Sequence, residues 1–238
     1  MLRRLSEDGL EKLRIGYRDI EIHFGDISEV GGVDAHVSSD DNWLSHGGGV
    51  SRALWLAAGP EVAADASELP ALSLGDVAVT GSGALDSRLM LHAVTLDFDG
   101  GARLSHEAAV DLYVAVFLRC DEHELERIAL PLLGSGAGRL GPRSSVLALV
   151  EALQRQATVS PYPGSIALVL YDDVSEVECE ILRAAADAHA SVDALVEATA
   201  QALAGGTELR ARCRDIAVAL PHQKAYQAVE RVLVESRL

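Results

Sequence analysis

Residues 33–59, VDAHVSSDDNWLSHGGGVSRALWLAAG, constrain this chain more than any other stretch. Val33 to Val37 is short and partly apolar, as the end of a buried strand would be. Ser38 to Ser45 is polar and reads as a turn. Gly47, Gly48 and Gly49 then lead into a segment, Val50 to Ala58, whose composition favours a helix, with Gly59-Pro60 as its stop. A strand, a glycine-rich loop and a helix in that order can hold a phosphate. Glycines let the backbone approach an anion, the first N–H groups of the helix point at it, and the helix dipole favours its charge. A bare triple glycine is equally consistent with a flexible turn, so its meaning depends on its neighbours.

Along the rest of the chain, strands alternate with helices. Asp19 to Ile27 places Ile20, Ile22 and Phe24 on one face and Glu21 and His23 on the other, a half-buried strand that puts His23 on the solvent side. Glu61 to Leu69 is polar and Ala-rich, a connector or helical turn. Asp76 to Thr80 and Arg88 to Leu96 read as strands around a glycine turn. Ser105 to Cys120 has the broad apolar stripe of a helix covering a sheet. Arg127 to Leu133 is continuously apolar, as a central parallel strand should be. Gly134 to Gly141 is a second glycine loop, and Pro142 suits the first position of the helix after it. Ser165 to Leu170 is a further buried strand, followed by a helix over 174–190. Such alternation indicates an α/β sandwich. Ligands in open sheets of this class bind beyond the carboxyl ends of the strands, where both glycine loops should emerge. Residues 2–13 scatter leucines among charges and fit either a short amphipathic helix or a loose tail, giving an N-terminal segment over 1–15. Residues 191–238 read as three helices, either packed on the domain or forming a surface for a protein partner.

The 238 residues carry a formal net charge of -16, which argues against direct nucleic-acid binding and against anionic membranes. An anionic nucleotide is still accessible to backbone donors. No apolar run is long enough for a membrane span, and the charged start MLRRLSEDGLEKLR does not suit a secretory leader. Cys120, Cys179 and Cys213 fit buried thiols of a reducing cytoplasmic compartment, and neither cysteine nor histidine spacing suggests a metal site. No cofactor is expected.

Several blocks together resemble the macrodomain family, whose members bind ADP-ribose, free or attached to proteins. Gly25-Asp26-Ile27 is similar to the family's opening Gly-Asp-Ile, Val33-Asp34-Ala35 to the following strand, and His46-Gly47-Gly48-Gly49-Val50 to its glycine loop. Gly75 to Thr80, Leu91 to Val94, Ile128 to Gly138 and Ile166 to Asp172 resemble later blocks in the same order. The resemblance spans about residues 16–190 and implies a three-layer α/β/α sandwich with a mixed, mostly parallel sheet, leaving 191–238 as a helical extension.

The resemblance also implies a site. Asp26 would accept a hydrogen bond from the adenine amine, being acceptor-only, with Ile27 beside the base. Gly47, Gly48, Gly49 and Val50, together with Ser39, would form one side of the ligand cradle. Gly134, Ser135, Gly136, Ala137 and Gly138 would form the other, Arg139 either pairing with a phosphate or lying in solvent, and Leu140 following it. Two departures bear on chemistry. Ser38-Ser39-Asp40-Asp41 stands where many members have Asn-Ala-Ala-Asn, so Asp41, or Asn42 if the loop shifts, would meet the distal ribose and is the candidate catalytic group. Ser51 stands where one hydrolytic branch has an Asp after Gly-Gly-Gly-Val. The expected ligand is ADP-ribose or an ADP-ribosylated protein. The expected activity is binding with hydrolysis of an ADP-ribosyl ester, or binding alone as a reader or sensor.

Overall fold

The computed structural model describes residues 11–156, 161–171 and 178–187. The chain runs β1 (Glu11–Ile15), β2 (Arg18–Phe24), a 3-10 turn (Ile27–Glu29), β3 (Ala35–Asp41), α1 (Gly49–Ala58), α2 (Pro60–Ser67), β4 (Val77–Gly81), β5 (Leu89–Leu96), α3 (His106–Glu122), β6 (Arg127–Pro131), α4 (Pro142–Gln156) and β7 (Ser165–Leu170). Residues 178–187 are helical. The strands form one sheet in the order β1-β2-β7-β6-β3-β5-β4. The inner five are parallel, and β1 and β4 close its two ends in antiparallel pairings.

Strand alternation sorts the core into two layers. Val37, Ala93, Ile128, Leu130, Ile166 and Leu168 face α3 and α4, where Leu112, Tyr113, Phe117 and Leu149 are buried. Met90, Ala129, Ala167 and Val169 face the other way, onto Leu54 and Trp55 of α1 and Val62 of α2. The result is the three-layer α/β sandwich with a mixed, mostly parallel sheet that the alternation of elements implies.

The structure corrects the sequence reading in two places. Residues 11–15 are a strand, not a helix or loose tail: β1 pairs with β2 from Glu11↔Ile22 to Ile15↔Arg18, and Ile15 is buried. The leucine spacing that suggested a helix is irrelevant here, because an edge strand buries only one face. Second, the polar run Ser38–Asp41 is not a turn. It completes β3, hydrogen-bonded along β5 with a bulge between Asp40 and Asp41. Ser38, Asp40 and Asp41 are buried because their polar atoms find partners, in one another and in His92 and Ser45, which hydropathy cannot register. The expected segments at 1–10, 174–177 and 188–190, and the helical extension at 191–238, lie outside the described residues.

Candidate functional site

Because the inner strands are parallel, the segments that follow β2, β3, β5, β6 and β7 all emerge at one edge of the sheet. The two glycine loops meet there. The first follows β3 and is shaped by Asp41, whose Oδ1 accepts the amides of Trp43 (2.9 Å) and Ser45 (3.1 Å) and whose Oδ2 accepts the Ser45 hydroxyl (2.6 Å). Asn42 is equally engaged: Nδ2 donates to Asp99 Oδ2 (2.7 Å) and Oδ1 accepts the Phe98 amide (2.9 Å). Leu44 and His46 both adopt positive φ, 51° and 46°, a conformation that costs a non-glycine residue about 1–2 kcal/mol. The strain lies in the segment that delivers Gly47–Gly49 to α1. Gly48 caps α1 with no side-chain hydrogen bond, which leaves the first amides of the helix open to an acceptor.

The second loop is held from beneath. Tyr113, fully buried, takes the Leu133 amide on its hydroxyl (2.8 Å) and pairs with Ser145 Oγ (2.8 Å), which donates to the Leu133 carbonyl (2.9 Å). Burial raises the Tyr113 phenol above its ordinary value, so it remains a neutral strut. Gly134 has φ of 70°, and Gly138 lies so close to it that a Cβ on Gly138 would fall 2.7 Å from the Gly134 Cα. The loop folds back through Leu140 N to Gly134 O (3.0 Å) and Arg139 N to Gly136 O (2.9 Å). Ser135 N is also occupied, donating to Leu132 O (3.3 Å). The expected run of donors therefore shortens: among the described residues, the amides of Gly136, Ala137 and Gly138 have no internal acceptor, and neither has that of Gly141 at the loop's end. Ser39 links the loops from β3, its Oγ 2.9 Å from Thr95 Oγ1 and 3.5 Å from the Gly134 amide that donates to it.

At the end of β2, Gly25 turns at φ of 136° and Asp26 caps the 3-10 turn, Oδ1 accepting the Ser28 amide (2.9 Å) and hydroxyl (2.8 Å). Oδ2 has no partner among the described residues. Ile27 is buried in the second core layer and has no exposed face for a base. What the sequence reading missed is aromatic: Phe24 and Tyr171, at the ends of the paired strands β2 and β7, are 51% and 68% exposed. A lone aromatic at a strand end gave no local signal of this in the sequence. A cavity of about 290 Å³ opens beside Asp26, lined also by His23, Phe24, Glu29 and Val169. His23 is thus half-buried and not solvent-facing, and burial lowers its pKa. Glu29 and Val30 belong to the segment pinned by His36, which bridges the Val30 carbonyl (3.0 Å) and Ser87 Oγ (2.9 Å).

Beneath the first loop lies a buried polar chain. Asp40 accepts Ser38 Oγ (2.9 Å) and pairs with His92 Nδ1 (2.8 Å), and His92 Nε2 is 2.9 Å from Thr80 Oγ1. His92 also touches Trp55, which in turn packs against the exposed His46. Ser51, in the first turn of α1, is buried with its hydroxyl unpartnered among the described residues.

A sequence model of the Macro domain family matches residues 37–148, the stretch that carries both loops. An uncharacterised protein of Pyrobaculum aerophilum is 30% identical over 166 residues, covering 67% of this chain and 87% of that protein. A macro domain-containing protein of Methanosarcina mazei is 25% identical over 166 residues, 70% of this chain and 88% of its own length. The chain belongs to the macrodomain family. An uncharacterised protein of Mycobacterium tuberculosis is 28% identical over 153 residues, which are 64% of this chain but 40% of the relative, so this macrodomain chain spans well under half of that protein. The fold agrees with the Oceanobacillus iheyensis macrodomain with ADP, at TM-score 0.62 and 22% identity over 74% of this chain and 94% of that one. It also agrees with a Trypanosoma brucei macrodomain in complex with ADP, at TM-score 0.60 and 15% identity over 73% of each chain. Within this macrodomain the glycine loops, Ser39 and Asp26 come together at one edge. Asp41 and Asn42 are at that edge too, but as the braces of the first loop. No helix among the described residues is long and apolar enough to cross a membrane.

Proposed function

We propose that this macrodomain binds ADP-ribose, free or protein-linked, along the edge where its two glycine loops meet. The observation that carries the reading is the pairing of two open donor sets: the uncapped start of α1 and the Gly136–Gly138 amides of the second loop. Amides with no protein acceptor, fixed by a rigid backbone, suit the oxygens of a diphosphate. Asp26 Oδ2 supplies an acceptor for an exocyclic amine, and Phe24 and Tyr171 supply exposed rings for a base. Val50 and Leu140 flank the loops at the cleft, and Arg139 adds a cation beside the phosphates.

Hydrolysis of an ester-linked ADP-ribose is the second reading. Asp41 and Asn42, the expected catalytic groups, use their polar atoms to hold the first loop and the turn at 97–99, so in this reading they act as braces. One observation favours it: the Ser51 hydroxyl is buried and unsatisfied at the start of α1, where it can fix a water molecule. Calorimetry with ADP-ribose tests the binding reading, and a Tyr171→Ala variant should weaken affinity by about 1–3 kcal/mol if the ring stacks on the base. Incubating saturating protein with an ester-linked ADP-ribosylated peptide tests the second. Release of free ADP-ribose supports hydrolysis, and its complete absence leaves a reader.

A further inference from the structure

The arginines divide by edge. At the end of the sheet opposite the glycine loops, each described arginine has a partner: Arg14 with Asp19, Arg88 with the His123 carbonyl, Arg119 with Glu122, Arg127 with Glu21, and Arg155 with Asp111 and Glu151. Arg18, fully buried, donates to the Tyr162 carbonyl. At the loop edge the pattern reverses. Arg52 lies in the first turn of α1, Arg103 between β5 and α3, Arg139 in the second loop and Arg143 in the first turn of α4. All four are exposed, and among the described residues none of their guanidinium groups makes a hydrogen bond or ion pair. The acids nearby are turned onto neighbouring donors: Asp41 onto Ser45, Asp97 onto the Asp99 and Gly100 amides, and Asp99 onto Asn42 and Trp43. Glu107, exposed in the first turn of α3, Glu29 and the free Oδ2 of Asp26 are the exceptions among the described residues.

We infer that Arg52, Arg103, Arg139 and Arg143 form an electrostatic rim that captures a phosphate-bearing ligand from solution before the loop amides engage it. The chain carries a formal net charge of -16. Its overall field therefore repels an anion such as a nucleoside diphosphate derivative. A local group of cations with no ion-pair partner around the cleft offsets part of that repulsion where the ligand must enter, and fields of this kind act on association rates more than on the final complex. Guanidinium groups suit the task because they stay charged at any working pH and present several donors to a phosphate. The inference rests on the ligand reading proposed above. The rim supplies the rate of capture, and the amides supply the bound geometry.

The test is stopped-flow association of the full chain with ADP-ribose over a salt series, with inorganic pyrophosphate as a second probe followed by calorimetry. The variant carries Arg52→Gln, Arg103→Gln and Arg143→Gln, and circular dichroism confirms its fold. At low salt the variant should associate with ADP-ribose roughly tenfold more slowly. Its rate should depend more weakly on salt, because fewer charges are left to screen, and its dissociation rate should stay within about twofold. The parent should bind pyrophosphate more tightly than the variant. If parent and variant associate with the same rate and salt slope while both bind ADP-ribose, the rim is wrong and the nucleotide reading stands. If the parent binds pyrophosphate through these arginines but not ADP-ribose, the rim stands and the nucleotide reading falls. If the parent binds neither, both fall.

Discussion

His92 Nδ1 lies 2.8 Å from Asp40 Oδ2, and both side chains are shut off from solvent. The chain continues to Thr80, whose single hydroxyl proton is directed at the Gly81 carbonyl (2.9 Å). His92 Nε2 lies 2.9 Å from the same hydroxyl, with donor and acceptor set by the tautomer of the ring. Ser38, Asp40, His92 and Thr80 hold one another in a chain, so removing one partner strands the next. Asp40→Ala should cost about 2–4 kcal/mol of unfolding free energy. Asp40→Asn, which keeps a hydrogen-bonding group in place, should cost less. Urea unfolding of the two variants measures the difference, and equal, near-zero losses would show the pair to be dispensable.

The glycines of the second loop should separate by role. A Cβ on Gly136 meets no atom within 4 Å, whereas on Gly138 it would fall 2.7 Å from the Gly134 Cα and 2.9 Å from the Gly134 carbonyl oxygen. Gly136→Glu should therefore fold with an unchanged melting temperature and lose ADP-ribose binding, because bulk and negative charge would stand among the open amides. Gly48→Glu should behave in the same way, since Gly48 is extended with open space around its Cα. Gly138→Ala should instead destabilise the fold by about 1–3 kcal/mol, the range for a methyl forced into a packed site. Thermal unfolding and calorimetry on the three variants check the pattern.

Asp41 provides a test of braced loop against chemical group. Asp41→Asn keeps an oxygen for the Trp43 and Ser45 amides and loses the carboxylate acceptor of the Ser45 hydroxyl. As a brace, it should change ADP-ribose affinity by severalfold at most and leave any ester turnover within the same range. Asp41→Ala, which removes the cap, should weaken binding further, by about 1 kcal/mol or more. A loss of turnover of about 10²–10⁴-fold in Asp41→Asn, with affinity retained, would instead mark a general acid or base.

Stability should fall in mild acid, and His36 is one cause. Burial lowers its pKa, outweighing the opposing pull of the Val30 carbonyl and Asp86. The unfolded chain then takes up a proton near the ordinary histidine value of about 6.5, while the folded chain resists it. The sign is fixed by that order: the contribution is complete above the unfolded value and is lost as pH falls toward the lower folded one. His23, lowered by burial beside the cavity, acts in the same direction. Melting temperatures measured from pH 8 down to pH 5 should decline below about 6.5, and the decline should be shallower in His36→Gln. A parallel decline in parent and variant would assign the effect to other groups.

Much of the fold was legible because periodicity reports burial. The apolar runs of β6 and β7 and the stripes of α3 and α4 fall where the sequence places them. The glycine loops were legible as chemistry, since glycine takes φ of 55° at Gly49 and 70° at Gly134 without the cost that Leu44 and His46 carry. The polar half of β3 was not, because Ser38, Asp40 and His92 are buried through mutual hydrogen bonds that only the folded register creates. The burial of Ile27 was not legible either: the resemblance of Gly25-Asp26-Ile27 placed it beside the base, and the 3-10 turn packs it in the core. Tyr171 was passed over because a lone aromatic at a strand end carries no local pattern. Its exposure becomes informative only once β2 and β7 are known to be adjacent.

The short strand β1 has a further consequence. Its hydrogen bonds cover the outer side of β2, the strand whose end carries Phe24, Gly25 and Asp26. A chain trimmed to begin at residue 16, where the sequence alone would draw the boundary, would keep every loop of the cleft and uncover a row of unpaired backbone groups along β2. Such a row is a template on which any extended peptide can be laid, including a second trimmed molecule. These first few described residues thus guard against self-templating, and a tidier cut would trade a well-behaved protein for one that clings to itself.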